Sequence, residues 1–225
     1  MRVLILDTET TGLDPAVDRC IEVGCILYDT KAAAVIASYA SLIGQEDTAN
    51  AAESINRIAP AMLVSAPTHD FVWNIVKNHA KTADAILAHR AEFDRGFVPL
   101  DLRTIRPWVC TKFHVEWPLG KMGDHLVHLA LAHGVGILSA HRALTDCDTL
   151  ARLLTRVHEM GSDLDLMLTR AMRPRVKLIA HVSYDDREKA KAAGFAWDGA
   201  RKVWHREMPI DEVESLTFRT SEMPS

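Results

Sequence analysis

The sequence lacks several features that would place it in a specialised class of protein. None of its apolar runs approaches the ~18 residues of a membrane span, so no membrane contact is expected. The four cysteines (Cys20, Cys25, Cys110, Cys147) form no C-x-x-C pair, which predicts reduced core thiols in a cytoplasmic protein. The net charge is −4 over 225 residues. A nucleic-acid function must therefore rest on local features.

The apolar patterning predicts an α/β domain over residues 1–160. The continuous run 2–6 is typical of a central buried strand, and the strand candidates 20–29 and 33–43 are joined by a polar turn, which predicts an antiparallel hairpin. Helices are expected at 68–80, 124–134 and 145–161, and short buried strands at 83–89 and 107–110. Three strands in a meander followed by alternating helices and strands indicate an α/β sheet.

The rest of the chain differs in charge and composition. Residues 161–175 are expected to be a linker with a short helical piece, 176–208 a small basic and aromatic α+β module, and 209–225 an acidic tail. Between Arg170 and Arg206, ten Lys and Arg residues face four acids, whereas residues 1–169 carry a net charge of −6. The aromatic side chains Trp197 and Trp204 either form the core of this small module or contribute to a surface that stacks on nucleic-acid bases.

Carboxylates stand at the ends of the predicted core elements. Asp7 and Glu9 follow the first apolar run in "LDTETTGLD", and on an extended backbone their side chains point the same way. Asp94 follows another buried strand, and Asp146 begins a helix just after His141. Each acid alone is typical of a solvated loop or a helix start. Asp7 and Glu9 have no Lys or Arg nearby in the sequence except Arg2, and clustered acids repel one another unless cations hold them. Together the four acids indicate a site for hard divalent cations such as Mg²⁺ or Mn²⁺.

Three segments, "LDTETTGLD", "AHRAEFD" and "AHRALTD", resemble in order and spacing the motifs of the DEDD-type 3′–5′ exonucleases. The chain is most similar to the histidine-containing branch (DEDDh), typified by the epsilon proofreading subunit of bacterial replicative DNA polymerase. The resemblance implies a ribonuclease H-like fold with a mixed five-stranded sheet flanked by helices. The segment around Tyr184 to Arg206 also looks like a module appended to phage and plasmid DNA-processing proteins, which favours a phage or mobile-element member.

The resemblance also implies the roles of the site residues. Asp7, Glu9, Asp94 and Asp146 would bind two divalent cations, and His141 would be the general base. By the same match, the substrate strand would pass over the first motif, with Thr10 and Thr11 contacting the terminal nucleotide and Leu13 wedged against its base. Arg90 stands where the family usually has Asn, and it either contacts a phosphate or points to solvent.

The implied activity is hydrolysis of single-stranded or frayed DNA 3′ ends to nucleoside 5′-monophosphates. Two alternatives stay open: a 3′–5′ exoribonuclease, and a non-catalytic DNA-end-binding module that accompanies a DNA polymerase. The five expected active-site residues are all present, which argues against the non-catalytic alternative.

Overall fold

The computed structural model describes residues 1–45, 49–120, 125–137 and 142–224. The chain forms two compact units, Met1–Met172 and Arg173–Ser225. In the described ranges, no helix has the length and apolar character needed to cross a membrane. All four cysteine thiols are buried and unpaired.

The first unit is built on a mixed five-stranded sheet, as predicted. The strands are β1 (Arg2–Thr10), β2 (Cys20–Asp29), β3 (Ala34–Leu42), β4 (Ala85–Ala88) and β5 (Trp108–Cys110). Their order in the sheet is β3-β2-β1-β4-β5. The first three strands form the expected antiparallel meander, whereas β4 pairs in parallel with β1, and β5 pairs in parallel with β4.

The first strand is longer than its apolar run predicts. β1 continues through Asp7 and Glu9 to Thr10, because β2 pairs with it along this whole length. The register shifts between Glu9 and Thr10, where a bulge ends the regular pairing. The two acids therefore belong to the strand itself and are held by the sheet, which fixes their direction more firmly than a loop would.

Helices cover both faces of the sheet. They are α1 (Glu53–Asn56), α2 (Pro60–Val64), α3 (His69–Lys81), α4 (Ala91–Phe97), α5 (Leu100–Ile105), α6 (Leu126–Ala132), α7 (Ala143–Glu159) and α8 (Leu164–Ala171). On one face Val3 and Ile5 of β1 pack into a core with α6, α7 and α8, and on the other Leu4 and Leu6 pack with α3 and α5.

In the first unit the sequence patterns locate α3, α6 and α7 but miss four short helices. Helices α1, α2, α4 and α5 have only four to seven residues each, too few for a helical period to stand out. The short helical piece expected in the linker 161–175 is α8, but this helix packs against the first unit and does not merely connect the two units. Leu164, Leu168 and Ala171 of α8 are buried in the α7-side core, so the first unit extends to Met172.

The second unit is a four-stranded antiparallel sheet with one helix. Its elements are β6 (Arg175–His181), α9 (Arg187–Ala192), β7 (Ala196–Asp198), β8 (Val203–Pro209), a 3₁₀ helix (Ile210–Ser215) and β9 (Arg219–Glu222), with strand order β7-β8-β6-β9. The turn between β7 and β8 follows Asp198 and begins at Gly199. Residues 209–225 are not a free tail: β9 pairs with β6, and the Phe218 ring packs against Phe195. The acidic composition of this segment gives no indication of the apolar contact made by Phe218.

Candidate active site

The carboxylates of Asp7 and Glu9 share one face of β1. Buried and half-buried positions alternate along this part of the strand, so both side chains lie on the α7-facing side, beyond Val3 and Ile5. In the β1–β2 pairing Asp7 lies opposite Gly24. The strand thus presents two acids, two residues apart, toward the start of α7.

Gly24 lets the first turn of α7 approach the sheet closely. A Cβ atom at this position would lie 2.4 Å from the backbone nitrogen of Leu144 and 2.5 Å from the carbonyl carbon of Ala143. The Cys147 thiol also donates a hydrogen bond to the Gly24 carbonyl oxygen at 3.3 Å. This contact brings Asp146, in the first turn of α7, beside the acids of β1.

Three carboxylates converge as a result. Oxygens of Asp7, Glu9 and Asp146 lie within 4.8 Å of one another, the spacing at which a single cation can contact all three. Burial, followed by the charges of Asp146 and Glu22, raises the pKa of Glu9 from 4.5 to about 8, although Arg142 opposes this. Burial and the neighbouring acids likewise raise the pKa of Asp7 well above its ordinary value. A divalent cation would offset the repulsion between these carboxylates, and their hard oxygen atoms are ligands that suit such a cation.

Asp94 lies beside this group, and hydrogen bonds from Thr8 fix its side chain. It is almost fully buried in α4, and its Oδ1 accepts hydrogen bonds from the Thr8 backbone N–H (3.1 Å) and hydroxyl (2.9 Å). Burial raises the pKa of Asp94 to about 7, against the hydrogen bonds from Thr8 and the charge of Arg90. Asp94 is outside the group of three, but its charge contributes to the raised pKa of Asp7. Arg90 is exposed at the N-cap of α4.

Glu22 is a site residue that the sequence reasoning missed. Its carboxylate is buried in β2 and accepts three hydrogen bonds from the Arg142 guanidinium, the shortest at 2.6 Å. It also accepts the backbone N–H of Ala143 at 3.1 Å. Glu22 therefore fixes the start of α7 and so the position of Asp146. The available signal was an acid inside the apolar run "CIEVGCIL", since a buried carboxylate needs a partner.

The loop after β1 is organised by its own hydroxyl groups. Thr10 donates to the Gly12 carbonyl oxygen at 2.6 Å, and Thr11 donates to Asp18 at 3.2 Å. A Cβ at Gly12 would lie 2.4 Å from the Asp18 carboxylate, so a larger residue there would displace that carboxylate from its hydrogen bond with Thr11. Both threonines are buried, and their hydrogen bonds order the loop, a role that the predicted contact with the nucleotide does not include. Leu13, by contrast, is 81% exposed.

His141, the expected general base, lies outside the described residues, which resume at Arg142. The residue that precedes α7 in the described range, Arg142, is the partner of Glu22.

The mixed sheet with carboxylates on its central strand and on the facing helix defines a ribonuclease H-like nuclease fold. Residues 4–154 match the exonuclease family model (RNase_T), and the chain belongs to this exonuclease family. Residues 176–223 match a second model, described only as a domain of unknown function (DUF8626).

Known proteins similar to the chain are exonucleases and polymerase subunits. It is 31% identical to DNA polymerase III subunit epsilon of Treponema pallidum over 159 residues, 66% of this chain and 73% of that protein. It is 26% identical to the 3′-5′ exonuclease DinG of Staphylococcus aureus (strain USA300), covering 80% of this chain but 21% of DinG. Among solved structures, exonuclease X in complex with 5′-overhanging duplex DNA superposes with a TM-score of 0.58 at 24% identity, covering 75% and 99% of the two chains.

Proposed function

We propose that this chain is a metal-dependent 3′–5′ exonuclease that hydrolyses single-stranded or frayed DNA ends to nucleoside 5′-monophosphates. The observation that carries the proposal is the convergence of Asp7, Glu9 and Asp146 within 4.8 Å on a fold of the exonuclease family. The similarity to the polymerase epsilon subunit supports DNA as the substrate. The four unpaired thiols fit action in the reducing cytoplasm.

The carboxylates would hold two divalent cations. Asp7, Glu9 and Asp146 offer clustered oxygens, and Thr8 engages Oδ1 of Asp94, so its second oxygen would serve as the ligand. Hard oxygen donors favour Mg²⁺ or Mn²⁺ over softer metals. When bound, such cations would lower the pKa of the attacking water and offset negative charge on the phosphate.

The remaining roles belong to residues of the chain itself. His141 would take the proton of the water that attacks the last phosphorus, while the bond from phosphorus to the 3′ oxygen of the preceding nucleotide breaks. The loop ordered by Thr10 and Thr11 would support the terminal nucleotide, and the exposed Leu13 would contact its base. Arg90, exposed at the N-cap of the helix that carries Asp94, would contact a phosphate.

Paired substitutions on α7 test this proposal. Asp146→Asn removes one carboxylate of the convergent group and should abolish nucleotide release from single-stranded DNA in Mn²⁺ or Mg²⁺. Asp148→Asn, two residues further along the same helix, removes an equal charge outside that group and should leave release unchanged. Equal activity of the two variants would contradict the proposal.

The alternatives give different results in the same assay. DNA and RNA oligonucleotides of one sequence distinguish an exodeoxyribonuclease from an exoribonuclease, because only a site that accepts the 2′-OH cleaves RNA. A non-catalytic end-binding module that accompanies a polymerase would bind these oligonucleotides without releasing nucleotides.

A further inference from the structure

The second unit contains a large cavity that the proposed exonuclease reaction does not use. Its volume is about 940 Å³, close to the upper end of the ~300–1,000 Å³ typical of ligand pockets. Of the described residues that line it, none is acidic. The aromatic and basic part of the lining comes from β6, β7, β8 and the segments that follow them: His181, Tyr184, Arg187, Trp197, Lys202 and Trp204.

The aromatic side chains of this cavity are unusually exposed. Tyr184 is 78% and Trp197 52% exposed, whereas Phe195, the aromatic residue of the unit's core, is 3% exposed. Trp204 packs against that core, and its ring centroid lies 5.6 Å from that of Trp197 at an interplanar angle of 56°. Trp204 thus supports Trp197 from within, while part of Trp197 stays open to a ligand. Large rings left open in this way mark binding surfaces.

Positive charge lies beside these rings. The Arg187 guanidinium carbon is 3.9 Å from the centroid of the Tyr184 ring, and its only ion pair among the described residues is a 3.9 Å surface contact with Glu188. Lys202 is exposed in the turn between β7 and β8. The Asp198 carboxylate accepts two backbone N–H groups of that turn, so its charge is used to order the turn that carries Lys202.

We propose that this cavity binds single-stranded DNA. Trp197 and Tyr184 would stack on successive bases, and Arg187 and Lys202 would contact the backbone phosphates. Open aromatic faces beside cations, in a cavity without acids, match the chemistry of a single strand, which offers flat bases and regularly spaced negative charge. The choice of DNA over RNA rests on the proposed function. The covalent link would keep a bound strand at high local concentration near the exonuclease unit.

Binding to the full-length chain tests this inference. A fluorescein-labelled oligothymidylate is titrated in EDTA, which prevents metal-dependent cleavage, and its anisotropy is measured. Trp197→Ala should weaken binding about 5- to 150-fold, the effect of losing one stacked base, whereas Trp197→Phe keeps a stacking face and should restore most of it. Lys202→Gln should lower the slope of log affinity against log salt by about 0.7, and Lys202→Arg should not.

Two controls make the result specific. Phe71→Ala removes an equally exposed aromatic side chain from α3 of the first unit and should not change affinity. Circular dichroism of each variant establishes that it is folded. The inference is overturned if folded Trp197→Ala and Tyr184→Ala bind as the unchanged chain does, or if oligouridylate or polyglutamate binds more tightly than oligothymidylate.

The same proteins separate this inference from the proposed function. A chain that releases nucleotides in Mn²⁺, but whose binding is insensitive to Trp197, refutes the inference alone. A chain whose binding depends on Trp197, but which releases no nucleotides, refutes the exonuclease proposal and leaves the binding site of the second unit intact.

Discussion

Replacing Glu9 by Gln should stabilise the metal-free first unit at pH 8. Burial and neighbouring acids raise the pKa of Glu9 from 4.5 to about 8. At ~1.36 kcal/mol per pKa unit, ionisation of Glu9 lowers the free energy of unfolding by at most about 5 kcal/mol. Solvent screening at this half-buried position reduces that effect to on the order of 2 kcal/mol. Because the pKa is raised on folding, the stability that Glu9 contributes is complete below pH 4.5 and is lost as pH rises through about 8. Gln stays neutral throughout.

Thermal unfolding in EDTA, followed by circular dichroism, measures this effect. Glu9→Gln should unfold about 4–8 °C above the unchanged chain at pH 8, and the difference should shrink toward zero near pH 4.5. Saturating Mn²⁺ should reverse the order, because the unchanged chain gains about 2.7 kcal/mol at a metal concentration of ~100 Kd. Glu116→Gln, at an exposed position, should show neither effect. A Glu9→Gln variant no more stable than the unchanged chain at pH 8 in EDTA would refute the reasoning.

Three further substitutions have defined outcomes. His141→Ala should lower kcat by about 10²–10⁴ if His141 is the general base, and His158→Ala, exposed on α7, should not; equal rates would contradict this role. Leu13→Ala should raise KM for single-stranded DNA without changing the unfolding temperature, because Leu13 is 81% exposed; an unchanged KM would exclude the contact. Glu22→Gln should lower the free energy of unfolding in urea by about 1.5–3 kcal/mol and should also lower kcat, because Arg142 and the start of α7 lose their charged acceptor. Full activity would show that Glu22 does not position Asp146.

The sequence predicts the sheet well because its strands are continuous apolar runs. The meander of β1, β2 and β3 and the later strands β4 and β5 lie where those runs stand. The end of β1 is different. A polar sequence after Leu6 indicates a loop, but pairing with β2, which begins ten residues further on at Cys20, extends the strand to Thr10. The composition of residues 7–10 does not indicate that a neighbouring strand pairs with them.

The carboxylates could be proposed from the sequence, but the contacts that position them could not. Asp7, Glu9 and Asp146 stand in recognisable motifs, and the structure brings their oxygens together. Glu22 acts through Arg142, 120 residues away along the chain. Long-range contacts of this kind follow only from the assembled fold.

The second unit shows how charge composition misleads. The acidic residues after position 208 predict a tail, yet β9 completes the sheet beside β6. Of the two tryptophans that the sequence leaves undecided, Trp204 packs against the core and Trp197 is half exposed. The core alternative is therefore correct for Trp204, whereas base stacking by Trp197 stays a prediction.

The central claim is metal-dependent hydrolysis from the 3′ end, and one gel assay tests it most directly. A single-stranded oligonucleotide is labelled at its 3′ or its 5′ end and incubated with the chain in Mn²⁺, with and without EDTA. The account predicts immediate release of the 3′ label as a mononucleotide, a ladder of shortened products that keep the 5′ label, and no reaction in EDTA. Release of the 5′ label first, or degradation in EDTA, would contradict it.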